Sequence, residues 1–184
     1  MNHVTRTFPV VLTACLNGMP GTTSSAALID ASACDTATPE PTVDGCVTAT
    51  LSCGDVVRGH TLGEPARYTT AFYEANHCTP ATTRHDAGGE RVYRLDLPEG
   101  DWRAHVRLET PCADLDLAAL RWSGETCPEP RHQLTRCEMS TRTGTATDEV
   151  ELSSRGPSRW YLVVDGKDDA DGAFALQVRC TPGL

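Results

Sequence analysis

A chain of 184 residues with only 5% aromatics allows one domain with a light core, plus a tail. A formal charge of −9 argues against a nucleic-acid partner, because phosphate contacts need Lys and Arg. Nine cysteines without a CxxC speak against a zinc ribbon or a thioredoxin-like site, and for oxidised pairs in an oxidising compartment.

Residues 1–15 read as an export segment: Arg6 is a short basic lead and Phe8 to Leu12 a short apolar run containing Pro9. Leu12-Thr13-Ala14-Cys15 then resembles a bacterial lipoprotein cleavage box, in which the cysteine becomes the acylated first residue. Setting Cys15 aside leaves eight cysteines, an even number. An ordinary secretory leader is the alternative. Leu16 after the cysteine, in place of Asp, resembles the outer-membrane sorting pattern. Residues 16–52 are rich in Gly, Ser, Thr, Ala and Pro with little periodicity, and read as a tether.

The folded domain is expected over 53–184. Cys53 to Thr61 opens it as a strand. Tyr68 to Cys78 has no clear period, and Tyr68, Phe72 and Tyr73 are expected over one end of the domain. Thr79 to Gly89 is a polar loop. Tyr93, Leu95 and Leu97 alternate with Arg94 and Asp96, and Trp102, Ala104, Val106 and Leu108 alternate with Arg103, His105, Arg107 and Glu109. A period of two marks half-buried strands. Pro98-Glu99-Gly100-Asp101 between them is tight-turn chemistry, so 91–109 predicts a hairpin. Arg103, His105 and Arg107 make an outward basic stripe with Asp96 as an expected cross-strand partner. Asp114 to Leu120 becomes apolar on both sides, as an interior strand would.

Cys127 to Cys137 encloses a polar segment, and Thr141 to Thr147 is a loop. The layout then repeats from Asp148 to Cys180, with strands at Glu149–Leu152 and Trp160–Asp165. An acidic turn follows, and a last strand lined by Phe174, Leu176 and Val178. No window shows sustained helical spacing. Short strands at this separation predict an all-β antiparallel sandwich or barrel, stapled by disulfides. Nearness predicts a Cys127–Cys137 bridge, and Cys34–Cys46 as a small loop within the tether. Cys53–Cys180 follows if the first and last strands are neighbours, and Cys78–Cys112 is the fourth expected pair, although eight cysteines allow 105 pairings and spacing alone does not decide among them.

Six segments carry a family resemblance: Cys53-Gly54, Val57-x-Gly59-x-Thr61, Arg91 to Leu95, Asp114-Leu115-Asp116-Leu117, Trp160 to Gly166, and Gly172-x-Phe174-x-Leu176. In that order and spacing, over about 53–180, the chain resembles the bacterial pre-peptidase C-terminal domain family. The resemblance implies a jelly-roll-like β-sandwich. Family members usually follow secreted peptidases, aiding secretion or substrate attachment, and some relatives bind collagen or carbohydrate. This chain departs from the pattern: residues 1–52 cannot hold a peptidase, and its cysteine density exceeds the family norm.

Asp114, Asp116, Asp165, Asp168, Asp169 and Asp171 are candidate calcium ligands, since Ca²⁺ takes six to eight hard oxygens. The spacing is not that of an EF-hand loop, and capping of turn amides is the commoner role for such aspartates. His85-Asp86 is the one adjacent histidine–acid pair, in a polar loop. No G-x-S-x-G and no H-E-x-x-H is present, so no catalytic residue is assigned. Trp122 and Tyr161 are candidate exposed aromatics for a glycan or peptide. The expected function is a non-catalytic extracytoplasmic binding or display module. Its partner would be a polysaccharide, an extracellular protein or an envelope component, with Cys15 as a lipid anchor and calcium as the one cofactor considered. A secreted accessory or inhibitor of a separately encoded protease is the second class, and a small secreted hydrolase the third.

Overall fold

Alternating segments become strands wherever one face can be buried. In the computed structural model, which describes residues 26–35, 45–78 and 84–183, these are β1 (Val47–Leu51), β2 (Val56–His60), β3 (Glu90–Leu97), β4 (Trp102–Glu109), β5 (Leu115–Arg121), β6 (Arg136–Ser140), β7 (Asp148–Ser154), β8 (Ser158–Gly166) and β9 (Ala173–Pro182). One sheet has the order β1-β3-β8-β5-β6, and is antiparallel except where β1 runs parallel to β3. The other has the order β2-β9-β4-β7 and is antiparallel throughout. The two sheets stack into a β-sandwich. Among the described residues no helix is long and apolar enough to cross a membrane.

Between the sheets lies a core of alternate residues: Tyr93, Leu95 and Leu97 from β3, Ala104, Val106 and Leu108 from β4, Leu115 and Leu117 from β5, and Phe174, Leu176 and Val178 from β9. Gly59 of β2 is required here, because a Cβ would meet the Phe174 ring at 2.8 Å and the Tyr93 hydroxyl at 2.9 Å. The four-stranded sheet is apolar on its inner face alone. Its outer face carries Arg103, His105 and Arg107, whose acidic neighbours are Glu149 and Glu151 of β7 and Glu109 of β4. Asp96, the expected partner, instead pairs with Arg94 and Arg159 on its own sheet.

The five-stranded sheet is buried on both faces, which explains the unbroken apolar run in β8. Its outer face forms a second core in which Val92, Ala118, Leu120, Tyr161 and Val163 meet Tyr68, Phe72 and Tyr73. These three rings sit on and just before a short helix, α1 (Thr70–Ala75), capped where the Thr69 hydroxyl accepts from Phe72 N–H. Sequence periodicity showed no helix because α1 is only six residues long. The rings cover a sheet face, not the end of the domain.

The hairpin expected over 91–109 is not formed. β3 pairs with β1 and β8 while β4 pairs with β7 and β9, so the Pro98–Asp101 turn carries the chain from one sheet to the other. Gly100 makes the turn at φ 109°. The reason lies in burial: β3 is covered on two faces and β4 on one, and a paired hairpin would put them in the same layer.

Four disulfides fasten the parts. Cys53 is joined to Cys180, because β2 and β9 are neighbours. The other three expected pairs are replaced by Cys34–Cys112, Cys46–Cys127 and Cys78–Cys137. Nearness in sequence misleads because Cys127 and Cys137 both face the second core, and each clamps a different piece of its cover. Cys127 holds the start of β1 through Cys46, and Cys137 holds the segment after α1 through Cys78. The tether boundary also moves. Cys46 and the whole of β1, expected within the tether, belong to the sandwich. Residues 26–35 strap the outer face of the four-stranded sheet. Arg58 donates to the Leu28 carbonyl at 2.8 and 3.0 Å, and Leu28 N–H donates to Glu109 Oε2 at 2.6 Å. Cys15, the export segment and most of the tether lie outside the described residues.

Non-reducing peptide mapping is expected to recover these four pairs. Replacing Cys46 and Cys127 together by Ser is expected to cost about 2–5 kcal/mol in chemical denaturation. A recovered Cys127–Cys137 peptide would contradict this connectivity.

Candidate functional site

At one end of the five-stranded sheet, three carboxylates stand in one row on the outer face. Glu90 of β3 is opposite Asp165 of β8, and Asp165 is opposite Asp116 of β5. All three are buried. The loop histidine His85 inserts over them, with Nε2 3.2 Å from Asp116 and Nδ1 3.4 Å from Asp165. The Tyr73 hydroxyl donates to Asp165 as well. Burial alone would push the His85 imidazole down, but hydrogen bonds to and charges of Asp116 and Asp165 lift it to about 9, so it is a cation at neutral pH. Burial first, then the Asp165 charge, push Glu90 up to about 9, against the backbone N–H groups of Arg67 and Tyr68 that bond its Oε1.

This constellation has the residue types of an acid–base site but no access. His85, Asp116 and Asp165 are at most 1% exposed. It is a polar rivet joining the loop before β3 to the sheet. Sequence reading missed His85 by weighing it against Asp86, its chain neighbour; the Asp86 carboxylate instead accepts from Thr70 N–H. The available signal was the pair of single acids inside apolar runs, Leu115-Asp116-Leu117 and Val164-Asp165.

The six aspartates considered for calcium do not converge. Asp116 and Asp165 are inside with His85. Asp114 accepts from Gly144 N–H and pairs with Lys167. Asp168 pairs with Arg84 on the surface. Asp171 accepts from the Thr61 hydroxyl and Gly89 N–H, and Asp169 is exposed. Among the described residues no group of three or more His, Cys, Asp or Glu side chains is placed to hold a metal ion.

The opposite end of the sandwich is open. A groove of about 520 Å³ runs between the β3, β5 and β8 ends, walled by Asp96, Arg121, Trp122, Glu125 and Arg159. Trp122 is half-buried and held. Its indole N–H donates to the Thr126 carbonyl, and its ring stacks on His132 at 4.6 Å and 16°. Tyr161, expected as an exposed ligand-binding ring, is fully buried. It points to the outer face of a sheet that is itself covered, and its hydroxyl donates to the Gly124 carbonyl at 2.8 Å. Arg159 donates to the same carbonyl and pairs with both Asp96 and Glu125. Tyr161 therefore shapes the groove loop from beneath. Beside the groove, and sharing Arg121 with it, is a second basin of about 670 Å³ walled by Arg103, Arg136, Arg155, Ser153 and Asp101.

Fold and surface define a disulfide-stapled β-sandwich with an open groove at one end. No family model matches the chain, and no curated protein matches it. Among solved structures it is similar to the pre-peptidase C-terminal domain of a collagenase from Bacillus anthracis, at 14% identity and TM-score 0.44, over 71% of this chain and 94% of that one.

The buried row makes stability fall with rising pH. Glu90 and His85 hold their protons more tightly folded than unfolded, and burial pushes Asp148 up to about 6 in the same direction. The His85 contribution is complete below 6.5 and is lost as pH rises through about 9, while the cost of ionising Glu90 grows from 4.5 to about 9. Calorimetry is expected to show a Tm about 5–10 °C lower at pH 9.5 than at pH 5.5. Glu90→Gln, which keeps the acceptor and the neutral shape, should flatten that decline. A Tm rising across the interval contradicts it.

Proposed function

We propose that this protein is a non-catalytic extracytoplasmic binding module whose ligand, a polysaccharide or an extracellular protein segment, lies in the groove beside Trp122. The observation that carries this is the pre-organised groove wall. Trp122 is fixed through Thr126 and His132, and the loop beneath it through Gly124, so a ligand meets a rigid aromatic edge and little ordering entropy is lost on binding. The polar neighbours Asp96, Glu125 and Arg159 supply orienting hydrogen bonds at the rim.

Four disulfides support an oxidising compartment. They use eight of the nine cysteines, and the ninth, Cys15, is the attachment point in this reading, as an acylated first residue. Against catalysis stands the burial of the acid–histidine row, which no substrate reaches.

A polysaccharide and extracellular-matrix protein array is expected to give binding without turnover. Trp122→Ala should weaken that binding at least about tenfold. Because the half-buried ring packs on His132 and the second core, Tm falls as well, and binding is read at a temperature where circular dichroism shows the variant folded. Unchanged binding by that variant would falsify the groove as the site.

A further inference from the structure

The basin that shares Arg121 with the groove has a composition at odds with the chain. In a protein of formal charge −9, four arginines, Arg103, Arg121, Arg136 and Arg155, wall one depression against a single acid, Asp101. They come from both sheets. Arg121 and Arg136 are directly opposite each other on β5 and β6. Arg136 donates to the Ser153 hydroxyl of β7 at 3.4 Å, and Ser153 is opposite Arg103 on β4. Arg155 follows in the turn after β7.

Like charges directly opposite on neighbouring strands destabilise a sheet. Among the described residues Arg121 has no carboxylate partner; its guanidinium sits 5.9 Å above the Trp160 ring. Arg155 has no ion pair among the described residues, while the ion-pair partners of Arg103 and Arg136 lie outside the basin wall, at Glu151 and Glu138. Guanidinium groups fork onto carboxylate, sulfate and phosphate oxygens in a bidentate manner. Ser153, which is exposed, adds a hydroxyl to the same wall.

Resting on the groove reading above, we infer that the ligand is an acidic polysaccharide, its anionic groups held in the Arg103–Arg121–Arg136–Arg155 basin and an adjacent residue of the same polymer against Trp122. Arg121 is the hinge of the assignment, because it walls both depressions. A polymer is favoured over a free anion because the two depressions are contiguous and only one of them is basic. A glycan is favoured over an acidic peptide because the non-basic half sets a fixed aromatic edge beside the polar groups of Asp96, Glu125 and Arg159, a pairing that suits the apolar face and the hydroxyls of a sugar.

The test uses the full oxidised chain on immobilised polygalacturonate (carboxylate), dextran sulfate (sulfate) and plain dextran (neutral). Retention is expected on the acidic polymers and not on dextran, and is expected to weaken steeply between about 100 and 400 mM NaCl. The double variant Arg121→Gln/Arg155→Gln should lose at least about tenfold in affinity. Its Tm should stay within a few degrees of the parent, since the repulsion between Arg121 and Arg136 is relieved while the Arg121 contact with the Trp160 ring is lost. Arg84→Gln, at the far end of the sandwich, is the control and should bind as the parent does. If dextran binds as well as the acidic polymers and the double variant is unaffected, the anionic assignment falls while the groove reading stands. Preference for poly-glutamate over all three polymers overturns the glycan assignment in favour of an acidic polypeptide. Binding of acidic polymers that survives the double variant and Trp122→Ala alike sinks both.

Discussion

The five-stranded sheet is apolar on both of its faces, and everything else in the molecule answers that fact. One face is covered by the four-stranded sheet, which has apolar residues to spare on its inner side alone. The other has no third sheet to meet. It is covered by a short helix and by loops, and loops bury poorly because their backbone groups need partners. Here the partners are supplied locally: Tyr68 donates to the Pro128 carbonyl, and Asn76 bonds both His132 and Leu134. The cysteines at the clamps, Cys46, Cys78, Cys127 and Cys137, are themselves members of that second core. Sulfur thus serves both as apolar filling and as a cross-link in a protein with few aromatic rings.

The same face explains the distribution of charge. At one end the row of Glu90, Asp165 and Asp116 is hidden under His85. Glu90 holds its proton at neutral pH and His85 is cationic. Both effects make the hidden row less negative than the formal count. Buried, internally compensated acids contribute little to the field outside. The arginines at the other end are exposed or half-exposed, and act on solvent directly. Overall acidity is therefore a poor guide to what the open end attracts.

Alternation along β3, β4 and β9 was readable because burial of one face writes a period of two into the residues, and the continuous apolar run of β8 announced an interior strand. Which sheet each strand joins was not readable. The Pro98–Asp101 turn suits either a hairpin or a crossing between layers, and only the burial of Arg91 and the second face of β3 decides it. Disulfide partners were mostly hidden for a related reason. Three of the four depend on how loops lie across a sheet face, whereas Cys53–Cys180 depends on strand adjacency, which repeats in the sequence can suggest. His85 and the arginine basin were invisible as sites because their members come from strands and turns scattered through the chain. Tyr161 was misplaced outward because alternation assigns a face, not whether something covers that face.

Tyr161 also links the two halves of the molecule. From the covered face of β8 its hydroxyl reaches the Gly124 carbonyl, which Arg159, on the same strand, bonds as well. Trp122 bonds Thr126, and the next residue, Cys127, is bridged to Cys46 at the start of β1. The groove wall is therefore a direct extension of the second core and is fastened by the same sulfur. A reduced chain would lose the clamp one residue from the carbonyl that fixes the indole. Under this reading, the compartment that keeps the bridges oxidised is also the one in which the groove keeps its shape, so place and recognition rest on a single piece of chemistry.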